Sequence, residues 1–331
     1  MDSKDITTTF PGTGDKAICL VVGAAGFVGK HLLSRLVEDG CYEIFATKLD
    51  FETIDTTELP GVRVVDLDIT KKEPVGKVLS DIRPDVIFHL AAQSSVALSF
   101  QKPELTMQIN ILGSLHLMEA MCQHCPEATA VLIGSAEQYG PVPQERQPVR
   151  ETEYPKPVSP YAISKTAVES LATLYAGSYG LRLIMVRAFN HIGPGQLPLF
   201  VVSDFARQIA VIEKGIAEPV IEVGNLSARR DFTDVRDIVR GYTLLARTGR
   251  PGEIYNIGSG SSIAVEDVLK TLLTLSDTPI EVRVDPRKFR PTDVPEFVAD
   301  ITKIKTDTSW RPEIPLSQSL SDTLTYWRKN V

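Results

Sequence analysis

The feature that most constrains the fold of this chain is a glycine-rich turn between an apolar segment and an amphipathic segment. The stretch "VVGAAGFVGKHLLSRLVEDG" places Gly23, Gly26 and Gly29 three residues apart, directly after the apolar run "AICLVVG". Such glycines permit a tight turn and let a pyrophosphate approach backbone N–H groups at the start of a helix. Because a predicted strand precedes the turn and a predicted helix follows it, the context required by this motif is present. The pattern predicts a dinucleotide site that includes Gly23, Gly26, Phe27, Val28 and Gly29.

The same strand-then-helix alternation continues along the first part of the chain. The apolar runs are nearly continuous, which is typical of parallel strands covered on both faces. Helical patterns lie between them, and two of these end at a glycine, Gly40 and Gly180. The alternation predicts an α/β fold with a doubly wound parallel sheet, the Rossmann arrangement. The predicted strands are residues 17–23, 42–47, 62–67, 85–91, 129–135, 181–189 and 252–260.

The domain organisation changes after Phe189. A chain of 331 residues is long for a single core. Beyond Phe189 a turn-rich loop, "NHIGPGQLP", is followed by helices mixed with short strands. Because segment 252–260 still has the pattern of a sheet strand, we expect a smaller second domain interleaved with the first. We predict the dinucleotide-binding domain over 16–189 and 233–265, and the C-terminal substrate domain over 190–232 and 266–331.

Charge and hydropathy exclude several classes of partner. A net charge of −7 argues against nucleic acid or an anionic membrane surface as the main partner. The longest uncharged apolar stretch, residues 17–29, is shorter than the ~20 residues of a membrane span. The first 16 residues lack the apolar segment of a secretory signal. We therefore expect a cytoplasmic protein that binds neither nucleic acid nor membrane.

The sequence contains one C-x-x-C motif, formed by Cys122 and Cys125, with His116 and His124 nearby. The motif could be half of a zinc site or a redox pair. Alternatively, these residues close a helix before the next strand. No second C-x-x-C and no H-x-x-x-H exists to complete a tetrahedral site, so we expect a helix end and no metal.

Residues at the ends of the second, third and fourth predicted strands indicate which dinucleotide is bound and where it lies. An acidic residue at the end of the second strand would bind a ribose 2′-hydroxyl and favour NAD. This chain has Lys48 there, which could pair with a 2′-phosphate, so we predict NADPH, with NADH possible and a solvated lysine as the alternative. After the third strand, Asp68 is a candidate for the adenine amino group, and Ile69 for packing on the ring. The fourth strand ends in small residues that suit a backbone beneath the cofactor, namely Leu90, Ala91, Ala92 and Gln93.

The segment "SPYAISK" places Tyr161 four residues before Lys165, so both project from one face of a helix. A phenol has a pKa of about 10, and a neighbouring ammonium lowers it towards the range useful for proton transfer. The same ammonium could hold the nicotinamide ribose. Ser135, at the end of the fifth strand, could donate a hydrogen bond to a substrate oxygen. We predict Ser135, Tyr161 and Lys165 as the catalytic residues.

Together, the glycine turn, "HLAAQSS", Ser135 and the Tyr161–Lys165 pair resemble the extended short-chain dehydrogenase/reductases that act on nucleotide sugars. The resemblance covers nearly the whole chain from Ala17 onward. The segments "RAFNHIGPGQ", "GNLSARRDFTDVRD" and "FRPTDVP" resemble the GDP-mannose branch, and most of all its GDP-6-deoxy-D-mannose reductase family. That resemblance implies NAD(P)H-dependent reduction of the C4 keto group of GDP-4-dehydro-6-deoxy-D-mannose to GDP-D-rhamnose. It also implies a homodimer paired through the helix that carries Tyr161 and the neighbouring helix.

The resemblance further implies where a GDP-sugar diphosphate is held. It assigns Arg230 and Arg290 to the diphosphate and nucleotide, and Asp293 to the ribose hydroxyls. Arginine suits this role because its planar fork donates two hydrogen bonds to a phosphate. The dehydratases of the branch usually carry Glu at the position of Asp293. Arg229 and Lys288 are expected to be solvated neighbours.

The residues expected near the sugar and the nicotinamide help to distinguish a reductase from a dehydratase. Asn190 and His191 should line the junction of sugar and nicotinamide, although His191 could instead be an ordinary loop-packing residue. A dehydratase needs a carboxylate base, and dehydratases place Glu at the position of Glu137, with Thr at that of Ser135. Ser in place of Thr, the "NHIGPGQ" and "RPTDVP" segments and the acidic "LDFETIDTTELPG" loop favour a reductase, so we assign Glu137 to substrate contact. The alternatives are a GDP-mannose 4,6-dehydratase, a nucleotide-sugar 4-epimerase and a non-catalytic nucleotide-binding sensor.

Overall fold

The computed structural model describes residues 16–288 and 295–331. The strands in chain order are β1 Ala17–Val22, β2 Tyr42–Lys48, β3 Arg63–Asp66, β4 Val86–His89, β5 Thr129–Ile133, β6 Arg182–Ala188, β7 Asn190–Ile192, β8 Val220–Val223, β9 Arg229–Arg230, β10 Phe232–Asp234, β11 Ile254–Ile257, β12 Ile263–Ala264, β13 Glu281–Val284 and β14 Glu296–Phe297. The α-helices are α1 Phe27–Asp39, α2 Lys72–Ile82, α3 Val96–Gln101, α4 Pro103–Met107, α5 Gly113–His124, α6 Pro160–Tyr179, α7 Val201–Glu213, α8 Val235–Thr248, α9 Val265–Thr274, α10 Thr302–Thr308 and α11 Leu316–Asn330. A π-helical turn covers Gln108–Leu112, and 3-10 turns cover Ala136–Tyr139, Gln144–Arg146 and Pro286–Lys288.

The central sheet has seven strands in the order β11-β6-β5-β4-β1-β2-β3, and every pair in it is parallel. The predicted doubly wound parallel sheet is therefore confirmed, including the strand predicted over 252–260, which is β11. The neighbours of β1 are β2 on one side and β4 on the other, so the strand order reverses beside β1. In sheets of this kind, ligands bind where the order reverses, outside the carboxyl ends of the strands.

Strand β1 shows why the apolar runs are continuous. Cys19 and Val21 pack into the core on one face of the sheet, while Leu20 and Val22 pack into the core on the other. All four side chains are fully buried. Since both faces are covered by helices, neither alternate position can be polar.

The helix ends agree with the turn signals in the sequence. Helix α1 ends at Gly40, whose left-handed φ of 67° lets its N–H donate to the carbonyls of Leu36 and Val37. Helix α6 begins with Ser159 as N-cap, whose side chain accepts from the Ala162 N–H at 3.1 Å, and ends at Gly180 with φ 71°. Both helices are thus positioned by residues visible in the sequence.

A second, smaller core lies beyond the central sheet. Helices α7, α9 and α11 pack together there with β8, burying apolar side chains such as Phe205, Ile221, Leu269 and Leu324. The segment around Ile301, Ile304 and Trp310 packs in the first core instead, although the sequence-based division placed it in the second domain. Within the described ranges, no helix is both long enough and apolar enough to cross a membrane.

Candidate active site

A cavity of about 1620 Å³ opens at the carboxyl edge of the sheet and extends along the second core. Its lining includes the ends of β1, β4, β5 and β6, the first turn of α1 and part of α7. Residues predicted to bind the cofactor and residues predicted to contact the substrate therefore share one cavity. Its size exceeds that of an ordinary small-ligand pocket, as a site for two nucleotides requires.

The three glycines of the turn have different roles. Gly23 has a left-handed φ of 83°, and a Cβ there would lie 2.6 Å from the Ala91 Cα. A Cβ on Gly29 would lie 2.4 Å from the Ala24 carbonyl oxygen, so α1 packs too closely for any side chain. A Cβ on Gly26, in contrast, would meet only the Gly23 carbonyl oxygen, at 3.7 Å. Gly26 is thus not required by packing, and its bare backbone lines the cavity at the start of α1. The turn fits a pyrophosphate.

The candidate adenosine end lies beside the turn. Asp68 and Ile69 both line the cavity, as predicted for an adenine site. Although burial acts to raise the pKa of Asp68, hydrogen bonds from the N–H and hydroxyl of Thr70, at 3.0 and 2.7 Å, lower it overall. Asp68 is therefore an ionised acceptor near neutral pH. The side chain of Ile69 is buried and packs against Gly113, where a Cβ would lie 2.5 Å from the Ile69 Cδ1.

Lys48 lines the same end of the cavity, but it has a partner that the sequence analysis did not identify. Its ammonium forms an ion pair with Asp66, at the end of the adjacent strand β3, and also donates to the Leu49 carbonyl at 3.1 Å. The alternative of a purely solvated lysine is therefore wrong. Thr47, the preceding residue, is buried, and its hydroxyl accepts from the Gly23 N–H at 3.1 Å.

The segment after β4 forms the cavity floor beside β1. Leu90, Ala91, Ala92 and Gln93 all line the cavity. Gln93 is fixed by its neighbours: its N–H donates to Asn110 Oδ1 at 2.8 Å, and its side-chain amide donates to the Thr106 hydroxyl at 2.9 Å. Its carbonyl accepts from the Asn110 amide at 3.1 Å, so both its backbone and its side chain are held by neighbours.

The predicted catalytic residues meet at the middle of the cavity. Tyr161 and Lys165, one turn apart on α6, are both buried and both line the cavity. Ser135 lies between the lining residues Gly134 and Ala136, and its hydroxyl is hydrogen-bonded to Tyr161. The structure therefore brings together the three residues that the sequence pattern singled out.

The protonation of this group differs from the sequence-based prediction. Burial raises the pKa of Tyr161 to about 12, opposed by the hydrogen bond with Ser135 and reinforced by the charge of Glu137. Burial also lowers the pKa of Lys165 to about 8. The Lys165 ammonium donates to the Ile133 carbonyl at 2.7 Å and is not among the groups that shift Tyr161. The prediction that Lys165 lowers the pKa of Tyr161 is wrong for this arrangement, because burial dominates both groups.

A network behind Ser135 was not anticipated. The Ser135 N–H donates to Gln138 Oε1 at 2.9 Å, and the Gln138 amide donates to Glu169 on α6 at 3.0 Å. Glu169 in turn forms a two-point ion pair with buried Arg187 of β6, at 2.6 and 2.9 Å. The network thus ties the Ser135 turn to the helix that carries Tyr161. Its one sequence signal is the capping box "SAEQ", which starts the 3-10 turn after Ser135.

Glu137 lines the cavity and is exposed. Its charge acts on Tyr161, so the carboxylate lies close to the phenol. A carboxylate in this position could contact a sugar or serve as a base, which keeps both roles available chemically.

The loop after β6 forms the junction between the two parts of the cavity. Asn190 is exposed and lines it, as predicted. His191 also lines it, but its Nδ1 is 3.1 Å from the Phe189 carbonyl and its ring stacks on Phe27 at 6.1 Å. Burial lowers the pKa of His191, so the ring is neutral near pH 7. The residue therefore combines loop packing with a position on the cavity wall.

The basic residues of the second core divide into two groups. Arg230 lines the cavity, whereas Arg229 is not among the lining residues and pairs with Glu296 at 3.3 Å. Lys288 also lines the cavity and its side chain is 38% exposed, so its assignment as a solvated neighbour stays a prediction. The remaining predicted substrate contacts, Arg290 and Asp293, lie outside the described residues.

The C-x-x-C motif lies away from the cavity, at the end of α5. Cys122 is in the last turn of the helix and Cys125 is its C-cap. Burial raises the pKa of Cys125 to about 12 and also raises that of Cys122, so both are unreactive thiols. Within the part of the chain that the structure describes, no group of three or more metal-ligating side chains occurs.

Known proteins resemble this chain over nearly its full length. A protein of Pseudomonas aeruginosa named GDP-6-deoxy-D-mannose reductase is 33% identical over 311 residues, which are 94% of this chain and 97% of the relative. A protein of Yersinia enterocolitica named GDP-mannose 4,6-dehydratase is 29% identical over 92% of this chain and 91% of the relative.

Solved structures agree with this resemblance. A structure of RMD from Pseudomonas aeruginosa complexed with NADPH superposes with a TM-score of 0.82 at 31% identity, covering 96% of this chain and 100% of that chain. A Thermus thermophilus UDP-glucose 4-epimerase complex with NAD gives a TM-score of 0.84 at 30% identity, covering 95% and 100%. Both hold nicotinamide dinucleotides, in agreement with the cofactor predicted from the glycine turn. The profile of one family, GDP-mannose 4,6 dehydratase, matches residues 20–323. The chain therefore belongs to the GDP-mannose 4,6-dehydratase family.

Proposed function

We propose that this protein is an NADPH-dependent reductase that converts GDP-4-dehydro-6-deoxy-D-mannose to GDP-D-rhamnose. The proposal is supported by the similarity to the Pseudomonas aeruginosa reductase and by the NADPH complex of a similar structure. One observation carries it further. Tyr161 lines the same cavity as the glycine turn and Arg230, and burial raises the pKa of its phenol, which is therefore protonated near pH 7. A reductase needs this form, because the residue must give a proton to the substrate.

Each residue of the central group has a definite task in this reaction. NADPH, when bound, supplies the hydride that adds to the sugar C4. Tyr161 donates a proton to the C4 oxygen as that bond is reduced. Ser135 donates a hydrogen bond to the same oxygen and orients the carbonyl. Lys165 holds the ribose beside the nicotinamide.

Other residues that line the cavity would bind the rest of the cofactor and of the substrate. The start of α1 at Gly26 would hold the pyrophosphate, with Asp68 and Ile69 at the adenine. Lys48 would reach a 2′-phosphate, and since Asp66 already holds its ammonium beside the cavity, the phosphate would replace that partner. Arg230 would take the diphosphate of the sugar nucleotide, and Asn190 and Glu137 would contact the sugar.

GDP-mannose 4,6-dehydratase is the second candidate. It is favoured by one specific observation, the exposed Glu137 carboxylate within electrostatic range of Tyr161. We place the reductase first because the Pseudomonas aeruginosa reductase is 33% identical to this chain and the Yersinia enterocolitica dehydratase 29%. Ser135 also stands at the position where dehydratases carry Thr.

Incubation with NADPH and GDP-4-dehydro-6-deoxy-D-mannose tests the proposal. We expect loss of the reduced-cofactor absorbance and, by NMR, a product with the C4 configuration of rhamnose. Tyr161→Phe should lower turnover by ~100-fold or more while NADPH binding is retained. Incubation with GDP-mannose and NADP should yield no 4-keto product. Absence of NADPH oxidation, together with keto-sugar formation from GDP-mannose, would establish the dehydratase instead.

We further propose that the protein is a homodimer paired through α6. On that helix Ile163 and Leu174 are exposed apolar residues on one face, with side chains 46% and 54% exposed. Such a stripe is typical of a helix face that packs against a partner. A cytoplasmic location and the two-domain division, with the second domain binding the nucleotide sugar, also remain proposals.

A further inference from the structure

The part of the cavity formed by the second core contains a pair of opposite charges to which the sequence analysis gave no role. Asp204 on α7 and Lys288 after β13 both line the cavity. The Lys288 ammonium is 3.8 Å from the Asp204 carboxylate and donates to the Glu222 carbonyl at 2.8 Å. The Gln208 amide donates to Asp204 at 2.8 Å. Both charged groups are therefore held by neighbours on the wall of the cavity.

Partial burial strengthens what this pair can do. The two side chains are 31% and 38% exposed, so bound ligand would remove much of the remaining water. Burial raises the pKa of Asp204, and the nearby Lys288 opposes that rise. A partly buried carboxylate accepts hydrogen bonds, and the adjacent ammonium donates them. Together they favour a ligand that has hydrogen-bond donors next to an acceptor.

Apolar side chains line the same cavity as the pair. Leu197, Leu199 and Phe200, in the segment that leads into α7, are 60%, 69% and 38% exposed. Val223 and Leu226 line it as well. Exposed apolar groups beside a charged pair are typical of a site for a flat, partly polar ring, such as a nucleobase.

Guanine matches this arrangement better than the other common bases. Its pairing edge presents two donors, the ring N1–H and the exocyclic amino group, next to one acceptor, O6. A carboxylate accepts from both donors at once, and an ammonium donates to the acceptor. Uracil and thymine present one donor between two acceptors, and adenine presents one donor beside one acceptor. Neither can satisfy the carboxylate at two points.

We propose that Asp204 and Lys288 select guanine as the base of the nucleotide sugar. Asp204 accepts from N1–H and the amino group, and Lys288 donates to O6. This inference rests on the proposed function for the class of substrate, a nucleotide sugar, but not for the reaction performed on it.

Binding of free nucleoside diphosphates to the intact protein tests the pair, by titration calorimetry with GDP, IDP, XDP and UDP. Hypoxanthine lacks the amino group of guanine, and xanthine replaces it with a carbonyl oxygen. The wild-type protein should bind GDP more tightly than the other three. Asp204→Asn should weaken the binding of GDP ~10- to 100-fold. It should also raise the affinity for XDP relative to that for GDP, since the new amide can donate to the xanthine carbonyl.

Two further variants separate recognition from folding. Lys288→Met should lower the affinities for GDP and IDP by the same factor, because both bases carry O6. Glu213→Gln, on the same helix but paired with Arg328 at 2.7 Å outside the cavity lining, should leave all four affinities unchanged. Thermal melting of each variant checks that it is folded.

The outcomes distinguish this inference from the proposed reaction. If Asp204→Asn keeps the wild-type ratio of GDP to IDP and to XDP affinities, the pair does not read the base, even if the reductase assay succeeds. If the ratios change as expected but no keto sugar is reduced, base selection stands and the proposed reaction fails.

Discussion

Tyr161 and Lys165 are shifted in opposite directions by the same cause. Burial disfavours the charged form of each, raising the pKa of the phenol to about 12 and lowering that of the ammonium to about 8. The phenol is therefore a proton donor near pH 7, and the ammonium is close to its titration point. The Tyr-x-x-x-Lys spacing predicted which residues meet, but the degree of burial that sets their protonation depends on the surrounding core.

The buried ammonium of Lys165 should make stability depend on pH. Its pKa is about 8 when folded and 10.5 ordinarily, so between these values the unfolded chain holds a proton that the folded chain has lost. Stability of the wild-type protein should therefore rise with pH across this window. Lys165→Met removes the buried charge and should be more stable at pH 7 by ~1–3 kcal/mol, with little activity.

Urea unfolding at pH 7 and at pH 10 measures this difference. The advantage of Lys165→Met should shrink at pH 10, where folded wild-type Lys165 is already neutral. An equal advantage at both pH values would mean that the ammonium is not buried as described.

Glu137 should be dispensable for reduction. Its charge raises the pKa of Tyr161, so Glu137→Gln lowers that pKa from about 12 but leaves the phenol protonated at pH 7. We expect kcat/KM for keto-sugar reduction to fall by less than ~10-fold, the loss of one substrate contact. Glu145→Gln, in the neighbouring 3-10 turn and outside the cavity lining, is the control for surface charge. A loss as large as that of Tyr161→Phe would instead make Glu137 catalytic.

At the scale of secondary-structure elements, the residues that begin and end α1 and α6 position the helices that form the site. The glycines that end α1 and α6, and Ser159 before α6, were readable because each satisfies a local backbone requirement. The network from Gln138 through Glu169 to Arg187 was not, because it joins a turn, a helix and a strand that are distant in sequence. Only the capping box at Ser135 is local, and such a box signals a turn but not its contacts with distant elements.

The glycine turn yields a matched pair of variants. Gly29→Ala places a Cβ 2.4 Å from the Ala24 carbonyl oxygen and should destabilise the fold by ~1–3 kcal/mol. Gly26→Ala meets only the Gly23 carbonyl oxygen at 3.7 Å and has an ordinary φ of −70°, so stability should hardly change. The methyl group of the new alanine would nevertheless occupy the place of the pyrophosphate. The affinity for NADPH should therefore fall ~10-fold or more.

Thermal melting and NADPH titration of both variants test this division of roles. Unchanged NADPH affinity in a folded Gly26→Ala protein would show that the pyrophosphate does not approach this backbone.

At the scale of the whole molecule, the unpartnered face of α6 predicts the assembly. Leu174→Glu places a charge in the middle of the proposed dimer contact and should convert the protein to a monomer. Ile216→Glu is the matched control, since Ile216 is also an exposed apolar residue, 67% exposed, but lies after α7. Sedimentation velocity should find a dimer for the wild type and for Ile216→Glu. A monomeric wild type, or a dimeric Leu174→Glu, would contradict pairing through α6.

The sequence by itself determined the elements whose signals are local. Apolar periodicity predicted the seven-stranded parallel sheet, and the glycine turn with Tyr161 and Lys165 predicted which residues line the cavity. Only the tertiary structure decided how these groups are charged and paired. The Lys48–Asp66 pair, the Ser135 network and the placement of Asp204 beside Lys288 each join separate elements. Burial and long-range contacts are properties of the packed molecule, so no local pattern records them.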